Sequence, residues 1–124
     1  EHRLQVIRLQ ESVMKSFAMT LNLKPESGVE EEYKRHHRAV WPEVVGGLQS
    51  IGVTKMKIYL RSHQLFMYLE ASDDFDPARD FEKYTEDPRA KEWDELMRGF
   101  QTPVPGTMPG VWWADMEEVF DLDW

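Results

Sequence analysis

The sequence predicts an α+β sandwich, one antiparallel sheet with helices on a single face. Three observations lead there. Apolar and polar residues alternate in short stretches, the mark of strands with one buried side. Between them, apolar residues recur at three- and four-residue steps, the mark of helices with one buried stripe. The order along the 124 residues is strand, helix, strand, strand, helix, strand. Two βαβ halves around a central hairpin make a ferredoxin-like sandwich.

The first strand starts near Lys15: Phe17, Met19 and Leu21 share one face, and Ser16, Ala18 and Thr20 the other. Lys24-Pro25-Glu26-Ser27-Gly28 breaks it, and Glu26 or Ser27 can open a helix. Val29, Tyr33, His36 or His37, Val40, Val44, Leu48 and Ile51 then trace one amphipathic helix face. Pro42 lies inside that run and must kink or restart it, because it lacks a donor and crowds the preceding turn. Gly46-Gly47 weakens the helix further, and Gly52 is its stop. In residues 53–60, Met56, Ile58 and Leu60 alternate with Lys55, Lys57 and Tyr59. In residues 65–71, Leu65, Met67 and Leu69 alternate with Phe66, Tyr68 and Glu70. Arg61-Ser62-His63-Gln64 between them suits a hairpin. Asp76-Pro77 and Asp87-Pro88 each set a capping acid before a proline at the first helical position. Trp93, Leu96 and Met97 share one face of the second of these helices. Residues 101–110, with three prolines and two glycines, read as a loop, and residues 112–122 as a last strand containing a bulge. Residues 1–13 (EHRLQVIRLQESV) show no clean period and no secretory h-region. They read as an N-terminal extension to a single domain over residues 14–124.

Composition narrows the function. Hydrophobic residues at 41% and aromatics at 12% suit a folded domain. Asp and Glu number 23 against 15 Lys and Arg, for a net charge of -8. That balance opposes nucleic acid, whose affinity comes from neutralised phosphates, and an anionic membrane surface. No apolar run approaches the roughly 20 residues of a membrane span. The absence of cysteine excludes disulfides, thiolate zinc sites and cysteine nucleophiles, and makes the cytoplasm the simplest location. No glycine-rich phosphate loop and no Gly-x-Ser-x-Gly is present. On the second face of the sheet, Tyr59, Phe66 and Tyr68 are too apolar for water. A ligand pocket or a second copy of the chain covers them, and a homodimer of the dimeric α/β-barrel type, with a pocket beside the sheet, satisfies both.

The densest chemistry lies in Glu32-Tyr33-Lys34-Arg35-His36-His37-Arg38-Ala39-Val40-Trp41-Pro42-Glu43. Tyr33, His37 and Trp41, at i, i+4 and i+8, put a phenol, an imidazole and an indole on one stripe. An imidazole moves protons in both directions near neutral pH, a phenol can hold a hydroxyl, and an indole can stack on a sugar face. The same three residues also serve as amphipathic core residues with satisfied polar tips. His36-His37 is a poor metal pair, because neighbours on a helix point about 100° apart and chelating histidines use i, i+4. No metal and no cofactor are expected. Glu92, Trp93 and Asp94 can place an aromatic and a carboxylate at a pocket rim, and Trp112-Trp113 straddles the sheet.

Phe17-Ala18-Met19, Glu32 to His37 and Val40-Trp41-Pro42-Glu43, followed by Gly52, Ile58-Tyr59-Leu60, Leu65-Phe66, Trp93 with Met97 and Glu117-Glu118-Val119-Phe120, resemble the L-rhamnose mutarotase family over roughly residues 14–122. The resemblance implies a dimeric ferredoxin-like enzyme that interconverts the anomers of a 6-deoxy sugar without a cofactor. It implies that His37 is the proton donor, that Tyr33 binds substrate and that Trp93 opens a sugar-binding Trp-Trp pair. Two positions depart from the pattern: the second tryptophan falls at Asp94, and a sugar-contacting tyrosine of the second strand falls at Met56. The expected activity is therefore a carbohydrate mutarotase with L-rhamnose as its sugar, His37 as catalytic residue and Tyr33, Met56, Trp93 and Asp94 as binding residues. The competing classes are a small dimeric α/β-barrel monooxygenase and a non-catalytic sugar-binding module.

Overall fold

A computed structural model describes residues 14–124; the expected extension over residues 1–13 lies outside them. The elements are β1 (Met14–Leu23), α1 (Val29–His37), α2 (Pro42–Ser50), β2 (Val53–Arg61), β3 (Gln64–Ser72), α3 (Pro77–Tyr84), α4 (Pro88–Arg98), β4 (Gln101–Thr102) and β5 (Ala114–Asp115). The sheet runs β2-β3-β1-β4, with β5 also paired to β1, and every pairing is antiparallel. This is the predicted ferredoxin-like order.

Register turns the alternating sequence into a continuous floor. Phe17, Leu69 and Met56 form one cross-strand row, Met19, Met67 and Ile58 the next, and Leu21, Leu65 and Leu60 a third. These rows face the helices and meet Val44, Ile51, Phe75, Trp93 and Met97 in two adjoining core clusters. The hairpin closes on Ser62, whose φ of 54° turns the chain tightly enough for Arg61 to face Gln64. The opposite face is only partly covered by the described residues: Phe66 and Tyr68 are half-buried. There Tyr59 pairs with Phe66 at 5.9 Å between rings and is 54% exposed, and Tyr68 donates to Glu70 at 2.6 Å.

Pro42 does more than kink the first helical run. It starts a separate helix: α1 ends at His37, and Trp41, in an extended conformation, becomes the cap of α2. The missing donor of proline is harmless at a first helical position, so a restart costs less than a mid-helix kink. Helix α1 itself begins on Gly28, at φ 90°, rather than on Glu26 or Ser27. The two Asp-Pro starts are as predicted. Asp76 accepts from the Ala78 amide at 3.1 Å, and Asp87 accepts from Arg89 and Ala90 at 2.8 and 3.1 Å.

The last part of the chain differs most from expectation. Gln101–Thr102, read as loop, extends the sheet beside Asn22 and Leu23. The strand expected over residues 112–122 shrinks to Ala114–Asp115, opposite Thr20 and Met19. Beyond it the Met116 amide still bonds to Ala18 at 2.9 Å, but Val119, Phe120 and Leu122 are exposed and bury no face that would hold a longer strand.

Candidate functional site

The helices do not close completely on the sheet. A cleft of about 1400 Å³ remains, floored by the rows of β2 and β3 and walled by α1, α2, α3 and α4. Tyr33, His37, Met56, Trp93 and Asp94, which lie far apart in sequence, all line it. Trp41, the third member of the expected stripe, does not. The helix break at Pro42 turns it aside, where its ring meets Trp93 edge-on at 5.1 Å and carries the Arg89 guanidinium at 3.9 Å. His36 is also outside the lining and packs on Phe100 at 5.5 Å.

His37 ends α1, and its imidazole folds back so that Nδ1 lies 2.8 Å from the Tyr33 carbonyl oxygen. A carbonyl only accepts, so Nδ1 carries the hydrogen and Nε2 is the nitrogen able to exchange a proton with a ligand. Burial pulls the pKa of His37 below the usual imidazole value; the bond to Tyr33 opposes that shift and neighbouring His36 adds to it. At neutral pH the ring is therefore an uncharged base. The Tyr33 ring lies 4.3 Å from the imidazole, and the edge of His37 meets Trp93 at 5.5 Å. Tyr33 is buried, which pushes its phenol up to about 12, partly offset by Gln101. The Gln101 amide donates to the Tyr33 hydroxyl at 3.4 Å, which leaves the phenolic hydrogen for another acceptor. The result is a neutral base beside a neutral donor, walled by indole.

Next to Trp93 on α4, Asp94 lies 3.3 Å from Arg98 Nε. Burial raises the pKa of Asp94, Arg98 lowers it, and Glu95 adds a smaller upward push. Met56 takes part in the apolar floor between Phe17 and Ile58. Among the described residues no group of His, Asp and Glu is arranged to hold a metal ion.

The model of the L-rhamnose mutarotase family matches residues 16–122. The chain belongs to that family. This places it among the carbohydrate epimerases, a class of isomerases. A UPF0734 protein of Dictyostelium discoideum is 52% identical over 89% of this chain and 91% of its own. An L-fucose mutarotase of Xanthomonas campestris pv. campestris is 34% identical over 88% of this chain and 89% of its own. The crystal structure of an L-rhamnose mutarotase of Formosa agariphila superposes with a TM-score of 0.64 at 25% identity, covering 87% of this chain and 98% of that one.

Among the cleft residues of this mutarotase-family chain, Gln101, Tyr84 and Arg98 escaped the sequence reading. Gln101 sits in a stretch that reads as loop, so nothing marked it as buried. Tyr84 follows Phe81 by three residues, an apolar step that signals a helix face but not a cleft. Arg98 gave no signal beyond a helix terminus. All three line the cleft.

Proposed function

We propose that the protein is a cofactor-independent mutarotase that interconverts the α and β anomers of a 6-deoxy-L-hexose, with L-rhamnose as its sugar. The observation that carries this reading is the His37 imidazole, tied through Nδ1 to Tyr33 and neutral at the cleft surface. Mutarotation moves one proton between two oxygens on the same carbon. His37 Nε2 takes the proton of the anomeric hydroxyl, and the imidazolium so formed delivers it to the ring oxygen as the bond between C1 and that oxygen breaks. C1 becomes an aldehyde, the carbonyl turns, and the same steps in reverse close the ring on the other face. No second base is needed, because both oxygens lie within reach of one nitrogen. The low pKa of His37 favours its starting form and makes its conjugate a stronger acid. Tyr33 holds a sugar oxygen through its phenolic hydrogen, and Trp93 offers an apolar surface to the ring. A positioned acid or base contributes about 10²–10⁴-fold, enough for a reaction that already runs slowly in water.

Met56 gives the methyl group of a 6-deoxy sugar an apolar neighbour. The L-fucose mutarotase relative makes L-fucose, also a 6-deoxy sugar, the second substrate to examine. The reading includes a homodimer, supported by the partly exposed aromatic face of Tyr59, Phe66 and Tyr68; sedimentation as a monomer at micromolar concentration removes that part. It also includes a cytoplasmic setting, in keeping with the lack of cysteine and with no helix, among the described residues, long and apolar enough to cross a membrane.

Saturation-transfer NMR between the L-rhamnose anomers tests the reading, with the protein present and absent. Accelerated exchange that persists in EDTA is expected. Binding without acceleration makes the protein a sugar-binding module, and oxygen uptake with quinol-like substrates makes it a monooxygenase.

A further inference from the structure

Among the described residues two polar residues are buried, Asp80 and Gln101. Asp80 is fully engaged where it stands: its Oδ2 accepts from Arg79 at 2.9 Å and from the Asp76 amide at 2.8 Å. Gln101 is not. It is 4% exposed, and its Nε2 makes one hydrogen bond, to the Tyr33 hydroxyl at 3.4 Å. Its Oε1 has no partner among the described residues, yet no fully buried side-chain nitrogen or oxygen among them lacks one. Oε1 therefore reaches open space, and the open space that Gln101 borders is the cleft.

The backbone fixes Gln101 from two directions. Only Gly99 and Phe100 separate it from the end of α4, and the Phe100 amide bonds to the Met97 carbonyl at 2.9 Å. On the sheet side Gln101 pairs with Leu23, and the Lys24 amide bonds to the Phe100 carbonyl at 2.8 Å. A glutamine that merely filled this space would be a poor choice beside methionine or leucine, because its amide exchanges water for a single long bond. The Tyr33 ring in turn lies 4.3 Å from the His37 imidazole, and the Tyr33 carbonyl holds His37 Nδ1 at 2.8 Å. Amide, phenol and imidazole thus touch in succession, and all three residues line the cleft.

Resting on the mutarotase reading, we propose that Gln101 is a further substrate-binding residue, which together with Tyr33 recognises one hydroxyl of the sugar. The Gln101 amide hydrogen occupies the phenol oxygen and so turns the phenolic hydrogen towards the ligand. That hydrogen goes to the oxygen of the sugar hydroxyl, and the hydroxyl's own hydrogen goes to Gln101 Oε1. Three hydrogen bonds then close a ring through amide, phenol and sugar. The amide–phenol bond is long at 3.4 Å, and bonds joined in such a ring strengthen one another. Only a group that both accepts and donates completes it, so the pair selects a free hydroxyl over an ether or a methylene.

The test measures anomer exchange on L-rhamnose by the wild type, Gln101→Met, Gln101→Glu and Tyr33→Phe, with each Gln101 substitution also combined with Tyr33→Phe. Gln101→Met keeps the volume and loses both hydrogen bonds; it is expected to raise KM by about ten-fold with kcat within about two-fold. Gln101→Glu keeps an acceptor but cannot donate to the phenol, and its carboxylate takes the phenolic hydrogen for itself. Its KM should rise at least as far. Because both residues act on one hydroxyl, each double variant should differ from Tyr33→Phe by no more than about two-fold in KM. A glutamine that only supports the fold gives losses that multiply in the double variants. That result, an unchanged KM in Gln101→Met or a wild-type KM in Gln101→Glu overturns the proposal. If the wild type accelerates neither L-rhamnose nor L-fucose exchange, the mutarotase reading falls and takes this role with it; an active wild type with multiplying losses removes the role of Gln101 alone.

Discussion

The two helix pairs hold equivalent places in the topology, yet they are built differently. Helices α1 and α2 begin on Gly28 and Trp41, neither of which offers a side-chain cap. Helices α3 and α4 begin on Asp76 and Asp87, whose carboxylates satisfy the first free amides. The first pair instead gains from charge order: Glu30, Glu31 and Glu32 open α1, and Lys34 to His37 close it. The uncapped pair supplies His37 and Tyr33. The capped pair supplies the wall they work against, Trp93 and Asp94. The side-chain caps lie in the half that carries Trp93 and Asp94, whereas His37, the proposed proton-exchanging group, sits at the end of an uncapped helix. The two halves should therefore respond to mutation in opposite currencies, one in rate and the other in stability.

The largest expected effect separates them cleanly. His37→Ala is expected to lower anomer exchange by about 10²–10⁴-fold with the far-ultraviolet circular dichroism unchanged, whereas His36→Ala changes the rate little. Equal losses in the two variants would break the assignment of chemistry to the cleft-facing ring. Sugar choice comes next. L-rhamnose should exchange faster than its 6-hydroxy counterpart L-mannose by up to about 10²-fold at matched subsaturating concentrations, because an apolar pocket rejects an added hydroxyl only modestly. Met56→Tyr should alter that preference more than the maximal rate; a collapse of the maximal rate would merge binding and chemistry.

In the capped half the expected effects are on stability. Asp87→Ala, which frees two amides, is expected to cost about 1 kcal/mol by denaturant titration and to leave kcat unchanged. A fall in kcat with unchanged stability would reverse the comparison. The smallest effect is a pH dependence. His37 has a folded pKa below its ordinary value of 6.5, so the unfolded chain binds its proton first. Stability is then fully present above 6.5 and declines as pH falls towards the folded value, and His37→Gln removes that slope. The exchange rate should follow the same direction, with an acid limb centred below 6.5 because the neutral ring starts the relay.

Where local chemistry decides the structure, the sequence was readable. Alternation in residues 53–60 and 65–71 set both the strands and the buried face, and the Asp-Pro pairs marked two helix starts to the residue. The cleft residues Tyr33, His37 and Trp93 were also visible as chemistry-bearing types within a recognisable motif. Tertiary context decided the rest. Trp41 left the expected stripe because Pro42 restarts the helix, a choice between kink and break that the local sequence leaves open. Gln101 acquired a role only when β4 added to the edge of β1 beneath Tyr33. Tyr84 faces the cleft because Gly47, almost forty residues away, leaves space for it. The long final strand failed because strand formation needs a partner edge as well as an alternating pattern.

Gly52, the helix stop at φ 103°, also acts at a distance. A Cβ there would fall 2.5 Å from the Ser72 hydroxyl oxygen, and the Gly52 carbonyl accepts from the Ser72 amide at 3.0 Å. These two residues fasten the open end of the β2-β3 hairpin, as the Ser62 turn fastens the closed end. A slip of one residue between such fastenings would carry Met56, Ile58 and Leu60 to the outer face and bring Lys55, Lys57 and Tyr59 inward. The chemical character of the cleft floor is in this sense a mechanical property, set by the absence of a single methyl group at the far corner of the sheet.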